Sequence, residues 1–389
     1  MTVRPRDNHA LAYSPPAAAL EGSSSTATGP AESATASPKL HLLSLDRAAL
    51  RAWAAEQGFE AYRSDQVLDW IYGKGVGSFD EMTNLSKALR AALVERAELY
   101  RSTITRQSTS SDGTTKLLLT QPDGAAVETV WIPEGERNTV CLSSQVGCPV
   151  GCRFCASGLN GVERNLTAGE IVEQALRVRR LIGDEGRLSN VVLMGMGEPL
   201  ANYDAVIAAI RILNAPWGLG IGARKITVST VGLPKQIRAL AGEDLQLNLA
   251  LSLHAPDDAL RRELIPWDVP IRELLDACLY YFKHTGREIT FEYVLLANVN
   301  DRPKHADKLA VHARRLRANV NLLRYNPVGG TPYERPSAED AQRFLERLRE
   351  HGVNAHLRRA RGSDIDAACG QLRRATLTTP ANGPPHERH

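Results

Sequence analysis

Apolar positions first recur at helical spacing and then change rhythm. Leu45, Leu50 and Trp53 predict a first helix, stopped at Gly58. Val67, Leu68 and Ile71 predict a second, stopped at Gly73, and Leu85, Leu89 and Leu93 a third. Residues 40–100 therefore read as a small helical module. Over 101–137 the pattern shortens to strands. Thr114–Thr120 and Ala126–Ile132 flank Pro122-Asp123-Gly124, a turn sequence, and predict a β-hairpin extension that links module and core.

From about Asn138 strand and helix alternate. The expected strands are 138–143, 190–194, 225–229, 246–251, 289–296 and 319–325, with a last one at 354–360. The expected helices are 168–182, 204–213, 234–241, 271–284, 303–317 and 338–350. Thr167 and Glu170 form a capping-box signature that opens the first of these. Such alternation predicts an α/β fold with a parallel sheet, and six βα units make a partial TIM-type barrel over 138–375. Residues 1–39, rich in Ala, Ser, Thr and Pro, are expected to be a disordered extension, and 376–389 a disordered tail.

Composition adds limits. The chain has 389 residues, 43% hydrophobic and 23% charged, which is ordinary for a globular protein. No apolar run reaches the ~18–20 residues of a membrane span, and the N-terminus lacks an apolar signal-peptide core. Six cysteines in a chain this long do not make a secreted disulfide scaffold; a cytoplasmic protein with metal or redox chemistry is expected. The net charge of +3 is uneven: 301–389 carries 17 Lys and Arg against 10 Asp and Glu. A basic C-terminal quarter suits a polyanion such as RNA, or is simply a solvated face.

Candidate chemistry gathers at one end of the strands, where barrel active sites lie. Gly195-Met-Gly-Glu-Pro199 follows one strand, Ser229 closes the next, Ser252 and His254 follow a third, and Asn326 another. The loop after strand 138–143 holds Cys148, Cys152 and Cys155, spaced C-x3-C-x2-C. Three thiolates leave one iron of a [4Fe-4S] cluster free, which is what reductive cleavage of S-adenosylmethionine (SAM) requires. With Cys141 as a fourth ligand the same stretch reads as a zinc knuckle; a ferredoxin-like carrier needs four cysteines too. Gly218-Leu-Gly-Ile-Gly-Ala-Arg-Lys225 precedes a strand and reads as a connecting turn rather than a phosphate loop.

Three other residues are singled out. Glu128 shares a strand face with Ala126, Val130 and Ile132, so it is either a carboxyl of raised pKa suited to proton transfer or half of a salt bridge at a hairpin edge. Cys369 lies among Gly and Ala after the last strand, with room for a reactive sulfur. Cys278 sits among leucines in a helix and reads as core.

The cysteine spacing is the signature of the radical SAM superfamily. The chain is similar, over about 40–375, to the RlmN-type dual-specificity RNA methyltransferases. The resemblance is carried by Val127–Pro133, Cys141–Cys155, Arg164-Asn-Leu-Thr167, Met194–Pro199, Thr227–Thr230, Leu251–Ala255, Tyr325-Asn-Pro327 and Gly362–Gln371. Val162-Glu163 departs from it, standing where an aromatic often precedes the Arg-Asn pair.

The resemblance implies that the helical module binds RNA and that Cys148, Cys152 and Cys155 hold a [4Fe-4S] cluster. It implies that Gly197, Glu198, Ser229, Ser252, Leu253, His254 and Asn326 contact SAM, two molecules of which are spent per turnover. Cys369 would be methylated by the first, and the second, reduced to a 5′-deoxyadenosyl radical, would activate that methyl group for addition to an adenine ring. Cys141 would resolve the protein–RNA adduct by a disulfide with Cys369, and Glu128 would accept a proton. The implied product is 2-methyladenine in 23S rRNA near the peptidyl-transferase centre and, in some tRNAs, beside the anticodon. A related C8-methylating enzyme shares these parts, and a non-catalytic zinc-stabilised RNA-binding protein is the rival from another class. A flavodoxin-type electron donor and a monomeric state complete the expectations.

Overall fold

The computed structural model describes residues 39–183, 186–359 and 361–365. The expected N-terminal extension (except Lys39), the tail and Cys369 lie outside them. The helical module holds β1 (Leu40–His41), α1 (Arg47–Glu56), α2 (Ala61–Leu68), α3 (Lys87–Arg96) and β2 (Ala97–Glu98), with β1 parallel to β2. Asp46 and Ser86 cap α1 and α3 by accepting from the backbone amides of Ala49 and Leu89.

Then follow β3 (Thr103–Thr109), β4 (Thr115–Thr120), β5 (Ala126–Glu134) and β6 (Arg137–Cys141), antiparallel in sequence. β7 (Gln145–Gly147) and β8 (Val162–Asn165) form a small antiparallel pair. The alternating region comprises α4 (Ala168–Ile182), β9 (Leu188–Leu193), α5 (Tyr203–Asn214), β10 (Ile226–Thr230), α6 (Pro234–Leu240), β11 (Asn248–Ser252), α7 (Asp258–Leu264), α8 (Ile271–Thr285), β12 (Ile289–Leu295), α9 (Pro303–Leu316), β13 (Asn319–Arg324), α10 (Ala338–Glu350) and β14 (Ala355–Leu357).

One ten-stranded sheet runs β14-β13-β12-β11-β10-β9-β6-β5-β4-β3. It is parallel from β14 to β6, and its edges β14 and β3 are not paired with each other. This is the expected partial barrel. The hairpin is present as β4 and β5, but the structure adds β3 beyond it and continues the same sheet through β6. Alternation in Thr103–Thr109 is masked by its exposed, polar side chains, so periodicity missed that strand. Helix α7 also went unforeseen, because seven residues give too short a period to read.

A single apolar cluster runs from Leu43, Leu50 and Met82 of the module to Val191, Leu249 and Phe291 of the sheet. Glu173 on α4, almost fully buried, pins the two together. It accepts from the backbone amides of Arg101 and Ser102, each at 3.0 Å, and pairs with Arg177 at 3.1 Å. Past β14 the chain crosses back to the antiparallel strands. Arg361 pairs with Glu134 at 3.0 Å, and the Gly362 amide donates to Asp112 at 3.1 Å. Asp364 accepts from the Ser110 hydroxyl and the Ser111 amide.

Candidate active site

Strand alternation decides which side chains share the inside of the barrel. A cavity of about 940 Å³ occupies it, lined among others by Ile132, Thr139, Met194, Thr227, Ala250 and Glu292. Glu128 lies two pleats before Ile132, Cys141 one after Thr139, Ser229 one after Thr227 and Ser252 one after Ala250. All four therefore project from the same face of the sheet, toward its C-terminal end for the parallel strands. Ser229 and Ser252 hydroxyls meet at 3.1 Å across neighbouring strands.

Glu128 is buried, and the Lys116 ammonium stands 3.4 Å from its carboxylate, itself fully buried. Lys116 is the diagonal cross-strand neighbour, since β4 sets Leu118 opposite Glu128 and Lys116 opposite Val130. The ion pair foreseen as the alternative for Glu128 is thus present, but within the sheet rather than at its edge. Cys141 is buried between Val130 and Val192 on the flanking strands.

The cysteine loop is framed by β7 and β8, which sequence periodicity did not reveal. Gly147 has φ +80°, and a Cβ there would collide with the Gly161 carbonyl, which also accepts from the Cys148 amide at 2.9 Å. The Cys155 amide donates to the Cys152 carbonyl at 3.0 Å, curling the loop. Burial pushes the Cys148 thiol up to about 12 and the Cys152 thiol up as well, and neighbouring cysteines of the loop add to both. All three cysteines are half-buried.

Such a donor set fits an iron–sulfur cluster. Uncompensated thiolates are costly there, and the positive charge of iron removes that cost by keeping them deprotonated. Among the described residues no three His, Cys, Asp or Glu side chains converge as they would on a single ion. Thiolates that each grip a different iron of a larger cluster stand further apart than ligands of one ion.

The Gly195–Pro199 turn packs against the segment that leads into the cysteine loop. Gly197 has φ +102°, and a Cβ there would stand 2.7 Å from the Gln145 Cβ and 2.8 Å from the Gln145 amide nitrogen. The Gln145 side chain accepts from the Glu198 amide at 2.8 Å. The buried Glu198 carboxylate accepts from the amides of Leu200 at 3.0 Å and Val231 at 2.8 Å, tying the end of β9 to the end of β10. Burial raises its pKa to about 7 against those hydrogen bonds.

Leu253 is fully buried, and its amide donates to the Glu292 carbonyl at 3.1 Å. His254 has φ +55°; its Nδ1 accepts from the Val294 amide at 3.1 Å and its carbonyl from Asn300 at 2.9 Å. Burial, helped by Arg261, holds the imidazole down at about 3, so it is neutral. Asn326 is half-buried just past β13.

Two family profiles match the chain: "Ribosomal RNA large subunit methyltransferase N-terminal domain" over 40–99 and "Radical SAM superfamily" over 142–310. The probable dual-specificity RNA methyltransferase RlmN of Thermosynechococcus vestitus is 49% identical over 338 residues, 86% of this chain and 99% of the relative. The chain belongs to the RlmN family. The corresponding protein of Gloeobacter violaceus is 50% identical, over 85% of this chain and 94% of its own. A crystal structure of a radical SAM methyltransferase from Sphaerobacter thermophilus superposes with a TM-score of 0.83 at 46% identity, covering 85% of this chain and 98% of that one. Membership makes the chain a radical SAM enzyme, and the C-x3-C-x2-C loop lies inside the matched radical SAM segment.

Sequence reasoning missed Gln145 and Arg261. Gln145 gave no signal, following two serines at the start of the short strand β7. Arg261 did: it stands three residues before the fully buried Leu264 on a short helix, a charge on an inward face.

Proposed function

We propose that this protein methylates C2 of an adenine in 23S rRNA and in some tRNAs through a methylated cysteine. The observation that carries the reading is the shared lumen face of Glu128, Cys141, Ser229 and Ser252, with the three-cysteine loop following β6 and β7. Cys148, Cys152 and Cys155 would hold a [4Fe-4S] cluster, which with SAM supplies the radical chemistry that an electron-poor aromatic carbon needs. Gly197, Glu198, Ser229, Ser252, Leu253, His254 and Asn326 would bind and orient SAM.

Cys369 accepts the first methyl group on sulfur, a thiolate being a good nucleophile near neutral pH. The Cys141 thiolate attacks the Cys369 sulfur of the RNA adduct, forming a disulfide and breaking that sulfur's bond to the methylene carbon, which keeps the electron pair and takes up a proton to become the methyl group of the freed base. Glu128 takes a proton during that release, with Lys116 beside it. The target base must leave its stack to reach such a lumen. Arg358 and Arg359, which line the cavity just past β14, and the helical module are suited to backbone phosphates. A flavodoxin-type donor and a cytoplasmic, monomeric enzyme complete the reading; among the described residues no helix is long and apolar enough to cross a membrane.

The test is mass spectrometry of 23S rRNA and tRNA after incubation with the reconstituted protein, SAM and a reductant. The expected product is 2-methyladenine. A product methylated only at C8 assigns the chain to the related reaction, and no product with a loaded cluster overturns the reading.

A further inference from the structure

Arg261 on α7 is 1% exposed, among the largest fully buried side chains of the protein. Its guanidinium donates to the Val231 carbonyl at 2.5 Å and, at 3.4 Å, to that of Val269. Its Nε is buried without a hydrogen-bond partner among the described residues. A guanidinium carries five N–H donors, and burying its charge costs several kcal/mol unless an anion answers it. Among the described residues no carboxylate lies within ion-pair distance. Asp258, one turn earlier, lies within electrostatic reach but not ion-pair distance, and its carboxylate accepts from the Ile271 amide at 2.7 Å.

The cysteine loop lies against the same helix. The Arg153 amide, next to Cys152, donates to the Leu264 carbonyl at 3.0 Å, which docks the cysteine loop onto α7 one turn beyond Arg261. Cys148, Cys152 and Phe154 pack on the apolar cluster that includes Val231, Leu264 and Ile265. A thiolate at Cys152 would stand within electrostatic reach of Arg261. Arg262, its neighbour, is exposed and stands 4.0 Å from exposed Asp268.

We infer that Arg261 is the buried counter-charge of the cluster held by Cys148, Cys152 and Cys155, and that it raises the reduction potential of that cluster. This rests on the cluster reading given above. A four-iron core with three thiolates is anionic, and the single electron taken from a donor deepens that charge. A fixed cation close by stabilises the reduced form more than the oxidised one, and burial strengthens the effect because little water screens it. Arg261 touches no reacting atom; it acts through the cluster as a positioning residue for charge.

The test compares the parent holoenzyme with R261Q and R261K, in the absence of SAM, by redox titration followed by electron paramagnetic resonance. R261Q keeps a hydrogen-bond donor and loses the charge; R261K keeps the charge. For R261Q we expect the ratio of reduced to oxidised cluster at a fixed potential to fall about tenfold, ~59 mV for a one-electron couple. R261K should stay near the parent. Equal shifts in both variants, or none in either, overturn the inference. So does an R261Q protein whose circular dichroism shows it unfolded with or without iron, because Arg261 is then structural. A parent protein that takes up no iron sinks the cluster reading itself, which iron analysis reports separately.

Discussion

The Phe154 ring meets the His254 imidazole edge-on, with centroids 5.1 Å apart and planes at 77°. Phe154 lies between two of the three clustered cysteines, and His254 ends the run that begins at Ser252. The contact therefore joins the loop proposed to hold iron to a strand end proposed to hold SAM.

Phe154→Ala should loosen that joint. Edge-to-face aromatic pairs contribute about 0.5–1.5 kcal/mol beyond the area they bury. The reconstituted variant is expected to lose iron faster to a chelator than the parent, followed by its visible absorbance. Equal rates would mean that the ring pair does not hold the loop.

Gly197→Ala should cost the fold and the site together. The backbone conformation at φ +102° suits glycine, and the added methyl would press on Gln145. Strain plus overpacking predicts a loss of roughly 2 kcal/mol in urea unfolding, and SAM binding weaker by about tenfold or more. Parental SAM affinity by equilibrium dialysis would argue against a role for this turn.

Cys141→Ala should leave RNA covalently attached through Cys369, whereas Cys369→Ala should give neither adduct nor product. Denaturing gels of the protein with labelled RNA read both. Turnover with free RNA in Cys141→Ala would remove Cys141 from the chemistry.

The pH dependence of stability carries a sign. His254 is held at about 3 against an ordinary 6.5, so below 6.5 the unfolded chain takes up a proton that the folded chain refuses. Its contribution is complete above pH 6.5 and is lost as pH falls toward 3, at up to ~1.4 kcal/mol per pH unit. Glu198, raised to about 7, works in the opposite sense, its contribution being lost as pH rises through 7. The clean comparison is therefore parent against His254→Asn, since Asn tolerates the left-handed backbone. The variant's urea midpoint should fall less than the parent's between pH 7 and 5; parallel curves would contradict the assignment.

Asp112→Ala removes the acceptor of the Gly362 amide, on the stretch that returns from β14 to the antiparallel strands. Hydrogen exchange at Gly362 should accelerate by about tenfold, the equivalent of one charge-assisted hydrogen bond. Unchanged exchange would mean that Arg361 and Asp364 suffice to hold it.

Much of this was legible along the chain. The repeated order of strand and helix from about Asn138 revealed a parallel sheet, and the spacing of Cys148, Cys152 and Cys155 revealed the loop chemistry, because both are patterns along the chain. The capping box at Thr167 and Glu170 formed as its residue types dictate. Tertiary structure decided what distant residues do to one another. Lys116 answers Glu128 only because β4 and β5 pair in one register, and a shift by a single residue would turn one of them to the other face. Glu198 is held near neutrality by burial that arises when the ends of β9 and β10 close over it. Arg261 and Arg262 are adjacent and alike in sequence, yet the turn of one short helix buries the first beside Cys152 and leaves the second in water. Residue type and spacing are written in the chain; desolvation and the company of charges exist only once it has folded.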